Sequence, residues 1–102
     1  MTKSVRLINV YSVKPENQEK LVQILEEGVH SIMVHQEGYL GSTILRSVDG
    51  KSVAVCAKWK EAKNIVAVFQ KAENESYIKK IQEIAIAAPG IYEECSSHRM
   101  ER

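Results

Sequence analysis

Alternating apolar and polar residues mark three strands along this 102-residue chain. In the first, about 4–13, apolar side chains occur on both parities, which is typical of a strand in the middle of a sheet or covered by a partner. Two further alternating stretches, about 39–48 and 51–60, are joined by Asp49 and Gly50. This dipeptide predicts a two-residue type I′ turn, in which both central residues have positive φ.

Apolar residues spaced three and four apart predict the helices. Pro15 opens the first helix, because proline fits a first turn, and Gly38 is expected to stop it in a left-handed conformation. Its apolar stripe consists of Leu21, Val22, Leu25, Val29, Ile32 and Met33. Gly28 inside this stripe would mark a close approach of the backbone to a strand or a ligand. Later helical pieces are predicted at 61–71 and 76–87, ended by Pro89-Gly90, and a last strand at 91–96.

The predicted order β-α-β-β-α-β is that of a ferredoxin-like α+β fold, an antiparallel sheet with helices on one face. We therefore expect one domain over residues 1–102, with a core at about 4–96 and a polar tail at 97–102. The second sheet face, here called the bare face, would carry Ile8, Val10, Ala54 and Cys56. An uncovered apolar face in so short a chain predicts a homodimer formed through the sheet.

Composition excludes several classes of protein. The formal net charge is +1, so no basic field for nucleic acid is evident. No apolar run approaches 18 residues, and the N-terminus lacks a complete signal-peptide pattern, so we expect a cytoplasmic protein without membrane association. Cys56 and Cys95 are interpreted as small, half-apolar residues rather than a redox pair.

Several segments resemble the antibiotic biosynthesis monooxygenase family. Members of this family are small dimeric α+β barrels. They are INVYSVKPENQEKLVQIL, HQEGYLGSTILRSVDG, VAVCAKWKE and APGIYEE, and the resemblance covers about residues 5–95. It implies oxidation of an electron-rich aromatic, such as an anthrone or a quinol-like phenol, by molecular oxygen without metal, flavin or other cofactor. The deprotonated substrate would pass an electron to O2, and the radicals would recombine to give a quinone. The protein would bind the flat molecule, stabilise its enolate and exclude water.

The chain departs from the family pattern at several positions. The third strand of the family often reads Asn-Tyr-Ala-Gln-Trp, with asparagine and tryptophan lining the pocket. Here Trp59 is kept and Val55 takes the asparagine position. A tyrosine six residues after the tryptophan is replaced by Ile65, and a histidine before the second-strand arginine by Leu45, although Arg46 remains. These changes keep open a second function, a non-catalytic dimer that binds a small apolar metabolite.

Other relatives on this scaffold degrade haem or process small signalling molecules. Asn9 matches a first-strand asparagine of the haem-degrading branch. The haem-ligating histidine of that branch falls near Ile78, however, and iron needs an axial ligand. Processing of a phosphorylated or carbonyl signalling molecule would need several cationic groups converging on the pocket.

The catalytic candidates are Trp59, Asn9 and Arg46. Trp59 is either a core residue or a stacking wall whose N–H meets a substrate oxygen. Asn9 either satisfies a neighbouring backbone group or binds a substrate oxygen. Arg46 either fixes a phenolate or carboxylate, or pairs with a glutamate in solvent.

The substrate-binding candidates are Tyr11, Val55, Ile65 and His30. Tyr11 is either a pocket hydroxyl or a core residue, and Val55 and Ile65 occupy the family's pocket positions. His30 is either a general base facing the cavity or a surface residue. It lies five residues from His35 on a helix, so the two cannot chelate one metal, and no metal site is predicted.

Overall fold

The computed structural model describes residues 3–101, so Met1, Thr2 and Arg102 of the predicted domain lie outside the described residues. Four strands, three α-helices and three short 3-10 turns follow one another along this part of the chain. The strands are β1 (Val5–Val13), β2 (Tyr39–Arg46), β3 (Ser52–Trp59) and β4 (Ala85–Tyr92). The helices are α1 (Gln18–Ser31), α2 (Ala62–Gln70) and α3 (Glu75–Gln82), and the 3-10 turns are Pro15–Asn17, Met33–His35 and Ala72–Asn74.

The sheet has the order β2-β3-β1-β4, with every neighbouring pair antiparallel. This arrangement confirms the predicted ferredoxin-like α+β fold. Asn9 lies opposite Val55 on one side and Pro89 on the other. The face with Tyr11, Val53 and Trp59 is buried beneath the helices, as the parity of the third strand predicts.

The C-terminal strand begins earlier than the sequence predicts. Helix α3 ends at Gln82 and β4 already starts at Ala85, so the predicted helix over 76–87 and strand over 91–96 were both wrong at these bounds. Three alanines and Ile86 occupy positions 85–88, and this pattern fits a helical or an extended period equally well. Pro89 and Gly90 lie inside the strand, where proline is tolerated because β4 is at the edge of the sheet.

The β2–β3 turn is not of type I′. Gly50 has φ +81°, but within residues 3–101 only glycines have positive φ, so Asp49 does not. The Gly50 amide donates to the Ser47 carbonyl at 3.2 Å, and the Ser47 amide donates to the Ser52 carbonyl at 2.9 Å. The Asp49 carboxylate accepts from the Lys51 amide at 3.0 Å. Asp49 therefore closes a longer loop through its side chain rather than through a left-handed backbone.

Two glycines shape the start of β2. Gly38 has φ +84°, the left-handed stop that the sequence predicts, although it follows the 3-10 turn rather than α1 directly. The register between β2 and β3 shifts between Tyr39 and Gly41. Gly41 has φ +137°, and its irregular backbone interrupts this edge of the sheet.

The bare face carries the residues that the sequence assigns to it, together with Leu45 and Ile86. Over residues 3–101 no helix covers it, and Val10, Leu45 and Ile86 are exposed. Within the same residues no helix is both long and apolar enough to cross a membrane.

We predict that Gly50→Ala lowers the free energy of unfolding by about 1 kcal/mol, because a side chain strains a left-handed backbone. An added Cβ would meet nothing closer than Pro15 Cβ at 3.7 Å, so the loss reports backbone strain rather than a clash. Urea unfolding of Gly50→Ala and Gly50→Asn measures it, and asparagine should lose less because it tolerates this conformation. An alanine variant as stable as the wild type would contradict the prediction.

Candidate functional site

A cavity of about 690 Å³ lies between the sheet and the helices. All four strands contribute to its floor, and α1, α2 and α3 form its walls. Most lining side chains are aliphatic or aromatic, and this volume is typical of sites for small organic ligands. The arrangement therefore favours an apolar molecule with few polar atoms.

The cavity lies between two separate hydrophobic clusters. One cluster surrounds Tyr11 and includes Leu25 and Ile81. The other surrounds Trp59 and includes Ile65 and Val68. Because members of both clusters line the cavity, it occupies the place where one continuous core would otherwise form.

Trp59 belongs both to the core and to the cavity wall. Its side chain is 2% exposed, and its ring meets Tyr39 edge-on, with centroids 5.2 Å apart. Its Nε1 is the only buried side-chain nitrogen or oxygen within residues 3–101 that lacks a hydrogen-bond partner. An unpaired buried donor costs free energy until it gains a hydrogen-bond partner.

Asn9 is buried on the floor of the cavity. Its Oδ1 accepts from the Ala88 amide at 3.1 Å, so the side chain satisfies a neighbouring backbone group. Its Nδ2 donates to the Tyr11 hydroxyl at 3.0 Å. Since Nδ2 carries two hydrogens, one is left beyond the Tyr11 bond. Asn9 therefore joins β1 to β4 and retains one N–H beyond its bond to Tyr11.

Tyr11 and Tyr77 are phenols held in their neutral form. Burial raises the pKa of Tyr11 to about 12. Burial also raises the pKa of Tyr77, and the nearby Tyr11 raises it further. Because Tyr11 accepts from Asn9, it keeps its own proton for donation.

Sequence reasoning missed Tyr77, and Gly28 was the signal that could have found it. Gly28 marks a close approach of the α1 backbone, as predicted, but the approaching group is the Tyr77 ring of α3. A Cβ at position 28 would overlap that ring and its hydroxyl.

Val55 and Ile65 both line the cavity. Val55 is half-buried opposite Asn9, and Ile65 packs in the cluster around Trp59. At these two positions the cavity presents carbon surface.

Arg46 and His30, for which a surface position was the alternative, do not line the central cavity. Arg46 ends the edge strand β2, so its guanidinium reaches solvent and pairs with Glu19, with Nη1 2.9 Å from Oε2. His30 is on α1, outside the cavity wall. Both border a separate depression of about 300 Å³ that shares Val29, Ser42 and Ile44 with the cavity.

The cysteines are free thiols, half-buried at Cys56 and exposed at Cys95. Among residues 3–101, no three His, Cys, Asp or Glu side chains are close enough together to hold a metal ion.

The sequence model of the family described as antibiotic biosynthesis monooxygenase matches residues 4–83 of the chain. Because this match covers well over half of the sequence, the protein belongs to that family. Among curated proteins, no sequence matches it.

Solved structures of the same fold include two from Streptomyces. The monooxygenase ActVA-Orf6 of Streptomyces coelicolor, in complex with Nanaomycin D, superposes with a TM-score of 0.83 at 17% identity, covering 98% of this chain and 95% of that chain. A mutant of SnoaB, a cofactor-independent oxygenase of Streptomyces nogalater, gives 0.81 at 14% identity, covering 93% and 96%. A conserved protein of Bacteroides thetaiotaomicron gives 0.76 at 22% identity, covering 90% and 98%. At these identities the likeness establishes the fold.

We predict that alkaline pH destabilises the protein through its buried phenols. Below pH 10 Tyr11 is protonated whether the chain is folded or unfolded, and the stability is independent of this group. Between its ordinary pKa of 10.0 and its folded pKa of about 12, the unfolded chain loses the proton first. Each such group then lowers the free energy of unfolding by roughly 1.4 kcal/mol per pH unit.

Urea unfolding at about pH 8 and about pH 11 measures this loss in the wild type and in Tyr11→Phe. The phenylalanine variant should lose less stability between the two pH values, whereas Tyr92→Phe, which changes an exposed tyrosine, should behave as the wild type does. Equal losses in all three proteins would refute the prediction.

Proposed function

We propose that this protein is a cofactor-independent monooxygenase that oxidises a small electron-rich aromatic, such as an anthrone or a quinol-like phenol, with O2. Membership of the family supports the reaction class. The observation that carries the proposal is the unpaired indole N–H of Trp59, buried in the wall of a carbon-lined cavity. Such a donor suits an oxygen atom on which negative charge develops.

The residues would act on the substrate by stabilising its enolate. In a site from which water is excluded, hydrogen bonds to an oxyanion are stronger than in water. Trp59 would donate to that oxygen from one wall. The remaining N–H of Asn9, four residues along the sheet from Trp59, would donate to a different oxygen of the substrate.

The described residues that line the cavity include no carboxylate, imidazole or amine. The enolate would therefore form by loss of a proton to water at the cavity mouth, and the favoured substrates are those that are already acidic. The enolate then gives one electron to O2, and the two radicals combine through a carbon–oxygen bond. Loss of water leaves a carbonyl, so an anthrone and O2 give an anthraquinone and one water molecule.

A second candidate is a binding protein without catalysis. The carbon surface at Val55 and Ile65 favours it, because both positions are often polar in the family.

Two further functions fit the cavity less well. Processing of a phosphorylated or carbonyl signalling molecule would need cationic groups in the cavity, and Arg46 lies outside it. Haem degradation would need an axial ligand, and the position expected for it is Ile78.

We also propose that the bare face pairs with a second copy of the chain. The accessible surface of the described residues is 7387 Å², whereas a compact monomer of 11.5 kDa is expected to expose about 5,800 Å². The exposed Val10, Leu45 and Ile86 contribute to this excess, together with the extended tail. Burying the bare face against a second copy of the chain would remove the apolar part of this excess surface from water.

We predict that Trp59→Phe slows oxygen uptake with an anthrone panel by at least tenfold, because it removes the N–H while keeping most of the ring. An oxygen electrode measures uptake by metal-free protein, with Tyr92→Phe as a matched aromatic change outside the cavity. Wild-type uptake no faster than autoxidation across the panel would reject the monooxygenase and favour the binding protein.

We predict that Val10→Lys converts the dimer to a monomer, because it places a charge in the middle of the paired faces. Val48→Lys adds the same charge at the exposed β2–β3 turn and should leave the dimer intact. Sedimentation velocity measures the mass, and a wild type that is monomeric at micromolar concentration would reject the pairing.

A further inference from the structure

Apart from Ser42, Gln70 and Gln82, the hydrogen-bonding side chains that line the cavity form two groups, one toward each end. The tryptophan end consists of Trp59 with Tyr39, in one hydrophobic cluster. The tyrosine end consists of Asn9, Tyr11 and Tyr77, next to the other cluster. Between them the floor and walls are carbon, at Leu7, Ala57 and Val55.

The strand register gives the distance between these ends. Asn9 lies opposite Val55 and Tyr11 opposite Val53, on the strand that ends at Trp59. At about 3.3 Å per residue, the backbone of Trp59 is about 13 Å from the Asn9 row. The Tyr11 hydroxyl lies near that row, because it is 3.0 Å from Asn9 Nδ2. A single phenol ring is too short to reach donors at both ends, whereas a fused aromatic system of two or three rings is long enough.

Tyr77 is fixed at its end of the cavity by helix packing. It projects from α3 and lies against the backbone of α1 at Gly28, where only a glycine leaves room for the ring. Tyr11 projects from the floor and is fixed by the hydrogen bond from Asn9. The two phenols thus come from opposite layers of the protein, and both line the same cavity.

We propose that Tyr11 and Tyr77 form a second oxygen-binding site, at the end of the cavity away from Trp59. The ligand is then an elongated fused-ring phenol with an oxygen at each end of its long axis, rather than a simple anthrone, whose oxygen is on the central ring. One oxygen accepts from Trp59 and the other from the two tyrosines. This inference rests on the proposed function, which supplies the aromatic nature of the ligand. It can be tested by binding alone, without catalysis.

Calorimetric titration with two anthraquinones tests the proposal. These compounds are already oxidised, so binding is measured without reaction. The probe 2,6-dihydroxyanthraquinone carries a hydroxyl at each end, and 2-hydroxyanthraquinone carries one, which can bind at the tryptophan end. The wild type should bind the dihydroxy compound about tenfold more tightly, as expected for one further hydrogen bond in a buried site.

Tyr77→Phe should abolish this preference while leaving the affinity for the monohydroxy compound unchanged. Gly28→Ala should abolish it too, because the new methyl group displaces the Tyr77 ring, while helix propensity by itself favours alanine. Tyr92→Phe, an exposed tyrosine outside the cavity, should keep the preference. Circular dichroism of each variant confirms that it is folded.

Equal affinities for the two compounds in the wild type would overturn the proposal, as would a preference that survives in Tyr77→Phe. The proposed function fails separately. A wild type that shows the tyrosine-dependent preference but no oxygen uptake supports the second site and rejects the monooxygenase. Oxygen uptake without the preference supports the monooxygenase and rejects the second site.

Discussion

The break between α2 and α3 is the constraint on which the cavity depends. The backbone leaves the helical conformation at Lys71, where ψ is 123°, so the crossover from β3 to β4 is made by helices of nine and eight residues. At 1.5 Å per residue each spans only about 12–14 Å. A single short helix cannot cover strands of eight or nine residues, which are twice as long. Each helix therefore completes one hydrophobic cluster, and the uncovered length between them is the cavity.

Much of the fold follows from the sequence, because side-chain parity in a strand and apolar spacing in a helix report directly which face is buried. Two examples are the face of β3 that ends in Trp59 and the apolar stripe of α1, since spacing alone predicts both and both are largely buried. The bounds of β4 do not follow in the same way. Its stretch from Ala85 to Ala88 consists of three alanines and Ile86, which show no clear period, and Pro89 indicates a helix end as readily as an edge strand.

The site was predictable where a residue is unusual on its own element, as a tryptophan or a buried asparagine is. It was not predictable where the role depends on a neighbour distant in sequence. The position of Tyr77 depends on the space left by Gly28 of another helix. Arg46 lies outside the cavity, where it forms an ion pair with Glu19. Neither relation leaves a local pattern. The resulting cavity is neutral: its polar side chains are an indole, amides, a serine hydroxyl and phenols, and no charged side chain of the described residues lines it.

Pro89 and Gly41 have a consequence for how this sheet can grow. Each lies on one of the two outer strands, the positions at which another polypeptide could add a strand by backbone hydrogen bonding. Pro89 has no N–H to offer, and the shifted register at Gly41 breaks the regular spacing of donors and acceptors. Both margins are thereby protected against lateral extension, which is the route to fibrils in β-rich proteins. Apolar strands can thus remain in a small domain without templating its aggregation.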